Sequence, residues 1–536
     1  MTFDFEERQG DLIDSIQPTD SIVLGITEDM KLLNKELRSR IGQPQLPKRK
    51  VGEVAVHQHQ KRYIFYLITR PKPYNKPNYN QLESCLIELR KACETYGVTS
   101  LALLRDLDEG LQDKYVKQLL FDVFQGWPGK MVILIESVFS SKPDFSHLKK
   151  QCQHIRPIPA AEYATRHRRL HQALVDAKSN CLVMEGGATM QYYTNIQWDL
   201  SERPFLVVLF VDNTLPTGIN MTVITPEFEL TKAQKRLAEA NLPEDIQPIL
   251  VSWKEHESPF EGLRAVLPSE TRVLIDPATR LFIYDGLRRL FPTDMAPIGI
   301  QQLRMIKSSA ELSILRCVNT VTEMAIRAVR PHVKVGMSEY DIQQLMTSAL
   351  KKAGLTNTWV LALVDEHAAL PHGDSSETKV KKDSVVLIDT GGELYGYQSD
   401  TTRTFFLGKK DFNQTIEDAW YLVKQAQESV LDHTIAGNTT AAQVDLAARH
   451  VIQKGGYGTY FTHRLGHGIG LEMHEEPYMN KGNTKLVLVP GMTFSVEPGI
   501  YVTHEFGIRL EDIVVVSDNG KLELLTKGLA DNPWTL

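Results

Sequence analysis

The stretch VVLIDTGGELYGYQSDTTRTF (385–405) predicts a β-hairpin with one carboxylate on each of its strands. Its apolar first part ends at Asp389, which is followed by a threonine and two glycines. Short apolar runs bounded by glycine are typical of buried strands. Asp400 follows Asp389 by 11 residues, and a hairpin of this length can place the two carboxylates side by side.

A second segment, TFSVEPG (493–499), repeats this pattern. Glu497 closes its apolar run, and Glu511 follows 14 residues later. Each hairpin is preceded by a segment that contains histidine and, before that, by two helical patterns. Residues 301–525 therefore predict two related α-α-β-β halves that face each other, with acids converging from both.

The second helix of each pair is predicted at SEYDIQQLMTSALKKAG (338–354) and AAQVDLAARHVIQKGG (441–456). Both segments have apolar residues at helical spacing, and both end at glycine, which favours a helix C-terminus. The helix that precedes 338–354 is predicted to begin at Ser308. Ser308 and Glu311 have the spacing of a capping box, in which each side chain bonds the other's backbone N–H.

Three histidines occur in HRLGHGIGLEMHEE (463–476), at His463, His467 and His474. A zinc-binding helix of the H-E-x-x-H type is excluded, because Arg464 occupies the position of the glutamate. Alternating glycines follow, and each glycine inside a helix costs about 1 kcal/mol relative to alanine. The pattern favours extended backbone. We therefore expect His467 in or beside a strand, with partners from other segments.

The candidate ligands form an oxygen-rich set that favours Mn²⁺, Co²⁺ or Mg²⁺ over a thiolate zinc site. They are Asp389, Asp400, His467, Glu497 and Glu511. Four buried carboxylates repel one another unless protons or cations neutralise them, and two divalent ions supply the required charge. A pair of ions can hold a bridging hydroxide and polarise a carbonyl, which is the chemistry of a hydrolase.

Three further histidines are candidates for donating to a substrate carbonyl or to an oxyanion. They are His372, His463 and His474. Taken singly, the acids also have structural interpretations. Asp389 is a candidate turn former, Glu497 a turn cap, and Glu511 an ion-pair partner of Arg509. Four acids that end apolar strands in a repeated pattern favour a bound ligand, because burying them without one is costly.

Composition describes an ordinary globular protein and excludes several functional classes. The 536 residues are 42% hydrophobic and 24% charged, with a net charge of −6. This predicts about two to four domains and argues against nucleic-acid binding. The N-terminus lacks the pattern of a signal peptide, and FLVVLFV (205–211) is too short to span a bilayer. Five scattered cysteines without a C-x-x-C motif exclude a cysteine metal cluster and favour a reducing compartment. We expect a cytosolic protein without membrane partners.

The predicted architecture is a multidomain chain of the α/β and α+β classes. The predicted regions are 1–139, a linker at 140–153, an α/β domain at 154–300, the two-half domain at 301–525 and a tail at 526–536. The first and third of these regions alternate strand and helix patterns. An example is KRYIFYLIT (61–69), a strand pattern, followed by YNQLESCLIELRKACETYG (79–97), a helix pattern.

The two-half domain resembles the pita-bread peptidases of the Xaa-Pro family, which includes aminopeptidase P and prolidase. The motifs that carry the resemblance are ALPHG, VVLIDTGGELYGYQSDTTRTF, HRLGHGIGLEMHEEPY, GMTFSVEPGIYV and GIRLED. The resemblance implies that Asp389 holds one metal ion and that Asp400 and Glu511 bridge two. It implies that His467 and Glu497 hold the other ion, and that Glu497 handles the proton of the attacking water. The implied cofactors are two divalent ions, with Mn²⁺ favoured and Co²⁺ or Zn²⁺ as alternatives.

The same resemblance implies roles for the remaining candidates. His372 and His463 are expected to position the substrate. His474 is expected to steady the tetrahedral intermediate, and Arg509 to orient the site. Some dipeptidases of this kind carry an arginine four residues after the third histidine, where it grips the proline carboxylate. Here that position is Tyr478, so dipeptidase and aminopeptidase activity both stay open.

Residues 154–300 resemble the N-terminal domain of the same peptidases. This implies a homodimer and a pocket closed in part by this domain. YYTNIQW (192–198) is the aromatic stretch expected near the mouth of that pocket. Creatinase-like and histone-chaperone relatives have lost the metal ligands, whereas this chain keeps all five.

Residues 1–139 resemble macro domains of the small ADP-ribose glycohydrolase type. The resemblance is carried by KVGEVAV (50–56), RYIFYLITRPKPYNKPNY (62–79) and YGVTSLALLRDLDEGLQ (96–112). The functional motifs are altered. ITEDMKLLNKELRSR (26–40) replaces a glycine-rich phosphate loop, so the backbone cannot easily approach a diphosphate. Arg70 occupies the position of the catalytic lysine, and the catalytic acid corresponds to Asp108 or Glu109. We predict a degenerate accessory module, with ADP-ribose binding as the alternative.

The sequence thus predicts a two-metal peptidase that hydrolyses Xaa–Pro bonds with a metal-bridged hydroxide as nucleophile. The expected partners are proline-containing peptides and a second copy of the chain. One alternative is a catalytically silent protein, which binds peptides through the two-half domain or ADP-ribose through residues 1–139. A second alternative is a hydrolase of a non-peptide amide or ester on the same metal site.

Overall fold

The structure is a computed structural model that forms two compact units, Met1–Pro143 and Asp144–Leu536. The described residues are 4–9, 12, 15–32, 46–59, 61–72, 75–76, 78–105, 107, 111, 113–135, 143–373, 378–410 and 412–535. Some predicted features lie outside them, namely Asp108, Glu109, residues 33–40 of the altered phosphate loop and residues 140–142 of the predicted linker.

The first unit is built on a six-stranded sheet in the order β1-β6-β5-β2-β4-β3. Its strands are β1 Asp4–Gln9, β2 Ser21–Thr27, β3 Val54–His59, β4 Arg62–Arg70, β5 Ser100–Leu104 and β6 Lys130–Ile135, and its described helices are α1 Tyr79–Tyr96 and α2 Asp113–Phe124. All pairings are parallel except β3 with β4. Apolar side chains from both faces of the sheet enter two separate cores. The predicted alternation of strands and helices is confirmed.

Arg70 ends β4 and is almost fully buried. Its Nη1 donates a hydrogen bond to the carbonyl of Asn75 at 3.1 Å. A buried guanidinium keeps its charge, so this position cannot supply the basic amine that a lysine would offer. The resemblance of this unit to macro domains stays a prediction.

The front part of the second unit is a six-stranded mixed sheet in the order β10-β9-β8-β7-β11-β12. Its strands are β7 Cys181–Glu185, β8 Leu206–Val211, β9 Ile219–Pro226, β10 Ile249–Trp253, β11 Val273–Ile275 and β12 Thr293–Met295, and its helices are α3 Ala160–Asp176, α4 Ala188–Thr194, α5 Leu230–Glu239, α6 Leu281–Arg288 and α7 Ile298–Met305. The strand β8 is antiparallel to both of its neighbours, β7 and β9. The central strands are buried on both faces, which explains their continuous apolar runs.

The rear part of the second unit contains the two predicted halves. Its helices are α8 Ser309–Val329, α9 Glu339–Ala353, α10 Gln414–His433 and α11 Ala441–Lys454. Its strands are β13 Thr356–Val364, β14 Val385–Leu394, β15 Tyr397–Gln398, β16 Thr401–Phe406, β17 Gly466–Gly468, β18 Glu475–Met479, β19 Thr493–Val496, β20 Gly499–Val502, β21 Phe506–Arg509, β22 Asp512–Val516 and β23 Leu522–Leu524. Each half is a helix pair followed by antiparallel strands; Asp389 lies in β14, and Glu497 directly follows β19. The mixed α/β, multidomain fold class is confirmed.

Local sequence signals fix the ends of these helices. Ser308 and Glu311 form the predicted capping box at the start of α8. The same arrangement starts α9 at Ser338 and α11 at Thr440. Gly354 ends α9 with a φ of 91°, a left-handed conformation that favours glycine. These caps satisfy backbone groups that a helix end would otherwise leave without partners.

A disulfide joins Cys152 to Cys317, which are 165 residues apart in sequence. The sequence did not predict this pairing, which runs against the expectation of a reducing compartment drawn from the scattered cysteines. Cys152 lies in the segment from Asp144 that was predicted as linker but belongs to the second unit, and Cys317 lies in α8. The bond therefore ties the start of the second unit to the first helix of the two-half domain. Among the described residues, no helix combines the length and apolar character needed to cross a bilayer.

Candidate metal centre

The five predicted ligands lie in or directly beside strands of the two halves. Asp389 lies in the middle of β14 and pairs with Thr402 of β16, whereas the sequence placed it at the strand end. Asp400 immediately precedes β16, and its backbone N–H donates to Asn319 Oδ1 of α8 at 3.2 Å. The structure thereby brings both acids of the first hairpin to one side of the sheet.

The acids of the second half meet them there. Glu511 lies between β21 and β22, where its N–H donates to the carbonyl of Thr402 at 3.0 Å. Thr402 Oγ1 in turn donates to Glu511 Oε2 at 2.7 Å. One carboxylate oxygen each from Asp389, Asp400 and Glu511 lie within 4.8 Å of one another. Three acids from two halves therefore form the first group of candidate ligands.

A second group contains His467, Glu497 and Glu511, whose ligand atoms also lie within 4.8 Å of one another. His467 Nε2 is 3.4 Å from Glu497 Oε1 and 3.7 Å from Asp400 Oδ2. The other ring nitrogen, Nδ1, is 3.1 Å from the carbonyl of Gly468. A proton on Nδ1 satisfies that contact, so the lone pair of Nε2 faces the carboxylates, as a metal ligand requires.

Ser495 connects His467 with Glu497. Its Oγ accepts from the His467 N–H at 3.0 Å and lies 3.2 Å from Glu497 Oε1, to which it donates. The Glu497 N–H is held separately by the carbonyl of Leu465 at 2.9 Å. These bonds fix the direction of the Glu497 carboxylate before any ion binds.

The buried carboxylates of the cluster favour the binding of cations. Burial and then the neighbouring carboxylates raise the pKa of Asp400 and Glu511 well above the ordinary range, and burial raises the pKa of Glu497 to about 7. Among the described residues, none forms a hydrogen bond with the buried Asp389 Oδ1 or Asp400 Oδ1. Buried polar atoms are normally satisfied, so these two oxygens suit metal ligands.

The donor set suits hard divalent ions. Burial lowers the pKa of His467 to about 3, so its imidazole is neutral and can ligate a metal. Four carboxylates with one imidazole match Mn²⁺, Mg²⁺ or Co²⁺ better than a thiolate-binding ion. Asp400 and Glu511 each occur in candidate groups on both sides of the cluster, as two bridging ligands would. The residues present therefore fit a pair of divalent ions.

Arg509 is the cation that orders the first half of the cluster. Its Nη2 donates to Asp389 Oδ2 at 2.6 Å and its Nε to Thr402 Oγ1 at 3.0 Å. Its Nη1 donates to the hydroxyl of Tyr501 at 3.0 Å and to the carbonyl of Pro371 at 3.2 Å. The arginine therefore pairs with Asp389, and the alternative pairing with Glu511 is not formed.

Tyr501 was not singled out from the sequence, although it lies in the GIYV motif. Since its hydroxyl accepts from Arg509, its proton is free to donate to His463 Nε2 at 2.8 Å. The other nitrogen of His463, Nδ1, is 2.6 Å from the carbonyl of Arg464. Burial lowers the pKa of His463 to about 4, so the ring is neutral. Both nitrogens of His463 are thus engaged within the protein, and its predicted contact with substrate stays a prediction.

The other two candidate histidines lie on the open side. His474 is exposed, and its ring meets the ring of His467 edge-on with centroids 4.1 Å apart. One nitrogen of His474 lies within 4.8 Å of ligand atoms of Asp400 and His467, so it is also a candidate ligand. His372 is exposed and near enough for its charge to lower the pKa of His474.

The placement of 192–198 at the mouth of the substrate pocket stays a prediction. Tyr192 and Tyr193 are buried, and residues 195–197 line a cavity of about 570 Å³ together with the hairpin tip 393–397. None of the five candidate ligands lines this cavity.

Comparison with known proteins supports the assignment of a metallopeptidase site. The family model of metallopeptidase family M24 matches residues 313–518. A peptidase of Schizosaccharomyces pombe is 39% identical over 388 residues, covering 70% of this chain and 84% of the relative.

Two solved structures show the same likeness. The dipeptidase PepE from Mycobacterium ulcerans has 30% identity and a TM-score of 0.62, covering 70% of this chain and 98% of that one. A prolidase from Thermococcus sibiricus has 27% identity and a TM-score of 0.59, covering 69% and 98%. With its carboxylate and histidine cluster inside the matched region, this chain belongs to metallopeptidase family M24.

Proposed function

We propose that this protein is a dinuclear metal-dependent exopeptidase that hydrolyses Xaa–Pro bonds in short peptides. The observation that carries the proposal is the buried cluster of four carboxylates and a neutral imidazole, with two carboxylate oxygens that lack partners. Xaa–Pro specificity is supported by the likeness to a protein named prolidase. Proline lacks an N–H and has a fixed φ, so its peptide bond calls for a dedicated enzyme.

In this proposal the residues would form two metal sites that share ligands. Asp389 would hold one ion, His467 and Glu497 the other, and Asp400 and Glu511 would bridge. Two ions bound there activate water and polarise the scissile carbonyl. Mn²⁺ is our choice of metal, because carboxylate-rich sites with one imidazole suit it.

The protein's own groups supply proton transfer and positioning. Glu497, whose Oε1 accepts a hydrogen bond from Ser495, would take a proton from the attacking water and deliver it to the leaving proline nitrogen. His474 and His372, which are exposed, would donate to the developing oxyanion. Arg509 holds Asp389 in a fixed direction throughout. We also propose a cytosolic homodimer, in which the first unit is an accessory module.

The test compares hydrolysis of a Xaa-Pro dipeptide and a Xaa-Pro-Xaa tripeptide, each with Mn²⁺ and with chelator. We expect chelator-sensitive hydrolysis that His467→Ala abolishes. His450→Ala is the matched control, because His450 is exposed on α11. Metal binding without hydrolysis of either peptide would contradict Xaa–Pro specificity and point to another amide or ester. Absence of both metal binding and hydrolysis would leave a peptide-binding role.

A further inference from the structure

A buried ion pair lies directly beside His474. Among the described residues, Lys307 is the only buried lysine. Its Nζ donates to Glu475 Oε1 at 2.7 Å, and the two side chains are 1% and 3% exposed. Lysine and glutamate are rarely buried to this extent, because removing both charges from water is costly even when they are paired. A costly feature therefore adjoins a candidate oxyanion donor.

Stability alone does not account for such a pair. Apolar residues of similar volume often replace a buried ion pair with no loss of stability, or with a gain. A charged hydrogen bond adds direction, because it holds both groups at a short, defined separation. The pair between Lys307 and Glu475 is therefore suited to fixing the chain around Glu475.

The chain fixed in this way is the turn 469–474, which joins β17 to β18. The second carboxylate oxygen of Glu475, Oε2, accepts the N–H of Glu472 at 3.4 Å and lies 3.5 Å from Arg304 Nη2. Arg304, at the end of α7, also donates to the Glu472 carboxylate. Glu475 thus links two cations that precede α8 to the backbone of the turn.

The pair lies against the backbone of Gly470 in the same turn. A Cβ atom on Gly470 would lie 2.7 Å from Glu475 Oε1 and 3.0 Å from Lys307 Cε. The carbonyl of Gly470 accepts the N–H of Gln398 at 2.8 Å, and the Gly470 N–H donates to the carbonyl of Glu472 at 3.0 Å. The turn is therefore packed directly on the pair, and loss of the pair removes one side of its support.

His474 depends on this support because its ring is not held in any other way by hydrogen bonds. Among the described residues, none forms a hydrogen bond with the His474 imidazole, and its ring contact is the edge-on one with His467. The direction of the imidazole is therefore set by its backbone. That backbone continues into Glu475, which is paired with Gly468 in the ladder of β17 and β18.

We propose that Lys307 and Glu475 are positioning residues that hold His474 in the direction needed to donate to the oxyanion. The inference rests on the proposed peptidase function and adds to it two residues outside the candidate metal ligands. A displacement of about 1 Å in a group that acts on the transition state can cost about 100-fold in rate. The pair acts through His474 and makes no contact with the substrate itself.

The first test measures hydrolysis of a Xaa-Pro dipeptide by Lys307→Met, which keeps the length of the side chain and removes its charge. We expect kcat to fall by about 10- to 100-fold, with KM and Mn²⁺ affinity within about threefold of wild type. In the His474→Ala background, Lys307→Met should change kcat by less than about threefold, because its effect passes through the histidine. Equal losses of kcat in both backgrounds would overturn the inference.

A double variant separates positioning from stability. Lys307→Met with Glu475→Leu leaves no charge unpaired, so its urea midpoint should return towards that of wild type while kcat stays low. Recovery of both quantities would leave the pair a purely structural contact and overturn the inference. Arg280→Met is the control, because Arg280 pairs with the buried Glu185 in the front part, and its kcat should match wild type.

Hydrogen exchange of the metal-free protein gives a readout that needs no activity. Amides of 469–475 should exchange at least about tenfold faster in Lys307→Met and in the double variant, whereas those of β22 should be unchanged. The double variant carries the measurement if the single variant does not fold. Unchanged exchange in the turn would overturn the inference. If wild type hydrolyses no peptide, the proposed function fails, and the exchange still decides whether the pair holds the turn.

Discussion

The metal-free protein is expected to lose stability as the pH rises, because the candidate ligands are mutually repelling carboxylates. Burial raises the pKa of Glu497 from its ordinary value of 4.5 to about 7 in the folded protein. The folded state therefore holds this proton more tightly than the unfolded state. The stabilisation is fully present below about pH 4.5 and is lost as the pH rises to about 7.

The magnitude follows from the size of the shift. Each pKa unit corresponds to about 1.4 kcal/mol, so Glu497 alone removes about 3 kcal/mol of unfolding free energy across this range. Asp400 and Glu511 are raised in the same direction and carry the loss to higher pH. Bound divalent ions neutralise the same charges, so saturating Mn²⁺ should remove most of this pH dependence.

The assay is urea unfolding of chelated protein between pH 5 and 8, followed for wild type and for Glu497→Gln. The variant cannot ionise at this position, so its stability should fall by about 3 kcal/mol less than that of wild type. Glu505→Gln is the control, since Glu505 is exposed in the β20–β21 turn. Parallel pH profiles for wild type and Glu497→Gln would refute the reasoning. A rise in stability with pH in the metal-free protein would refute it too.

Three further predictions concern the surroundings of the site and the core of the second unit. Ser495→Ala removes the hydroxyl that bonds both His467 and Glu497. It should weaken Mn²⁺ binding by about 10- to 100-fold, measured by competition with a chelator. Ser495→Thr keeps the hydroxyl and should retain most of the Mn²⁺ affinity. Cys152→Ser should lower the unfolding free energy by about 2–4 kcal/mol, and reducing agent should give wild type the same thermal midpoint as this variant. Arg403→Met removes the ion-pair partner of the buried Asp512 and should lower the free energy of unfolding in urea by about 3–5 kcal/mol. The double variant Arg403→Met, Asp512→Leu should recover a large part of this loss. Equal stability of the single and double variants would contradict this account.

The features that could be predicted from sequence are those that depend on neighbouring residues along the chain. Ser308 and Glu311 lie three residues apart, and the capping box they predict is present. Gly354 ends its helix because it adopts a left-handed conformation at little cost. The acids could be singled out as candidate ligands because they recur near the ends of apolar runs in both halves, a pattern that burial alone does not explain.

The features that could not be predicted depend on strand register and on contacts between distant segments. Asp389 lies in mid-strand because β14 continues to Leu394, beyond the glycines that suggested an end. Tyr501 meets His463 only because β20 lies next to the loop that precedes β17, and neither residue type indicates this pairing. The Cys152–Cys317 bond spans 165 residues, and spacing along the chain carries no information at such a separation.

The repeat of acids in the two halves of the sequence is explained by the contacts between the halves in the structure. Thr402 of the first half bonds Glu511 of the second through both backbone and side chain, and Arg509 of the second half bonds Asp389 of the first. The acids therefore lie on the seam between the halves, where repulsion among them opposes the contact. Cations bound as proposed would turn that repulsion into attraction across the seam, since each ion would take ligands from both halves. Neither half alone supplies enough carboxylates for the two ions, so metal binding and the pairing of the halves should stabilise each other.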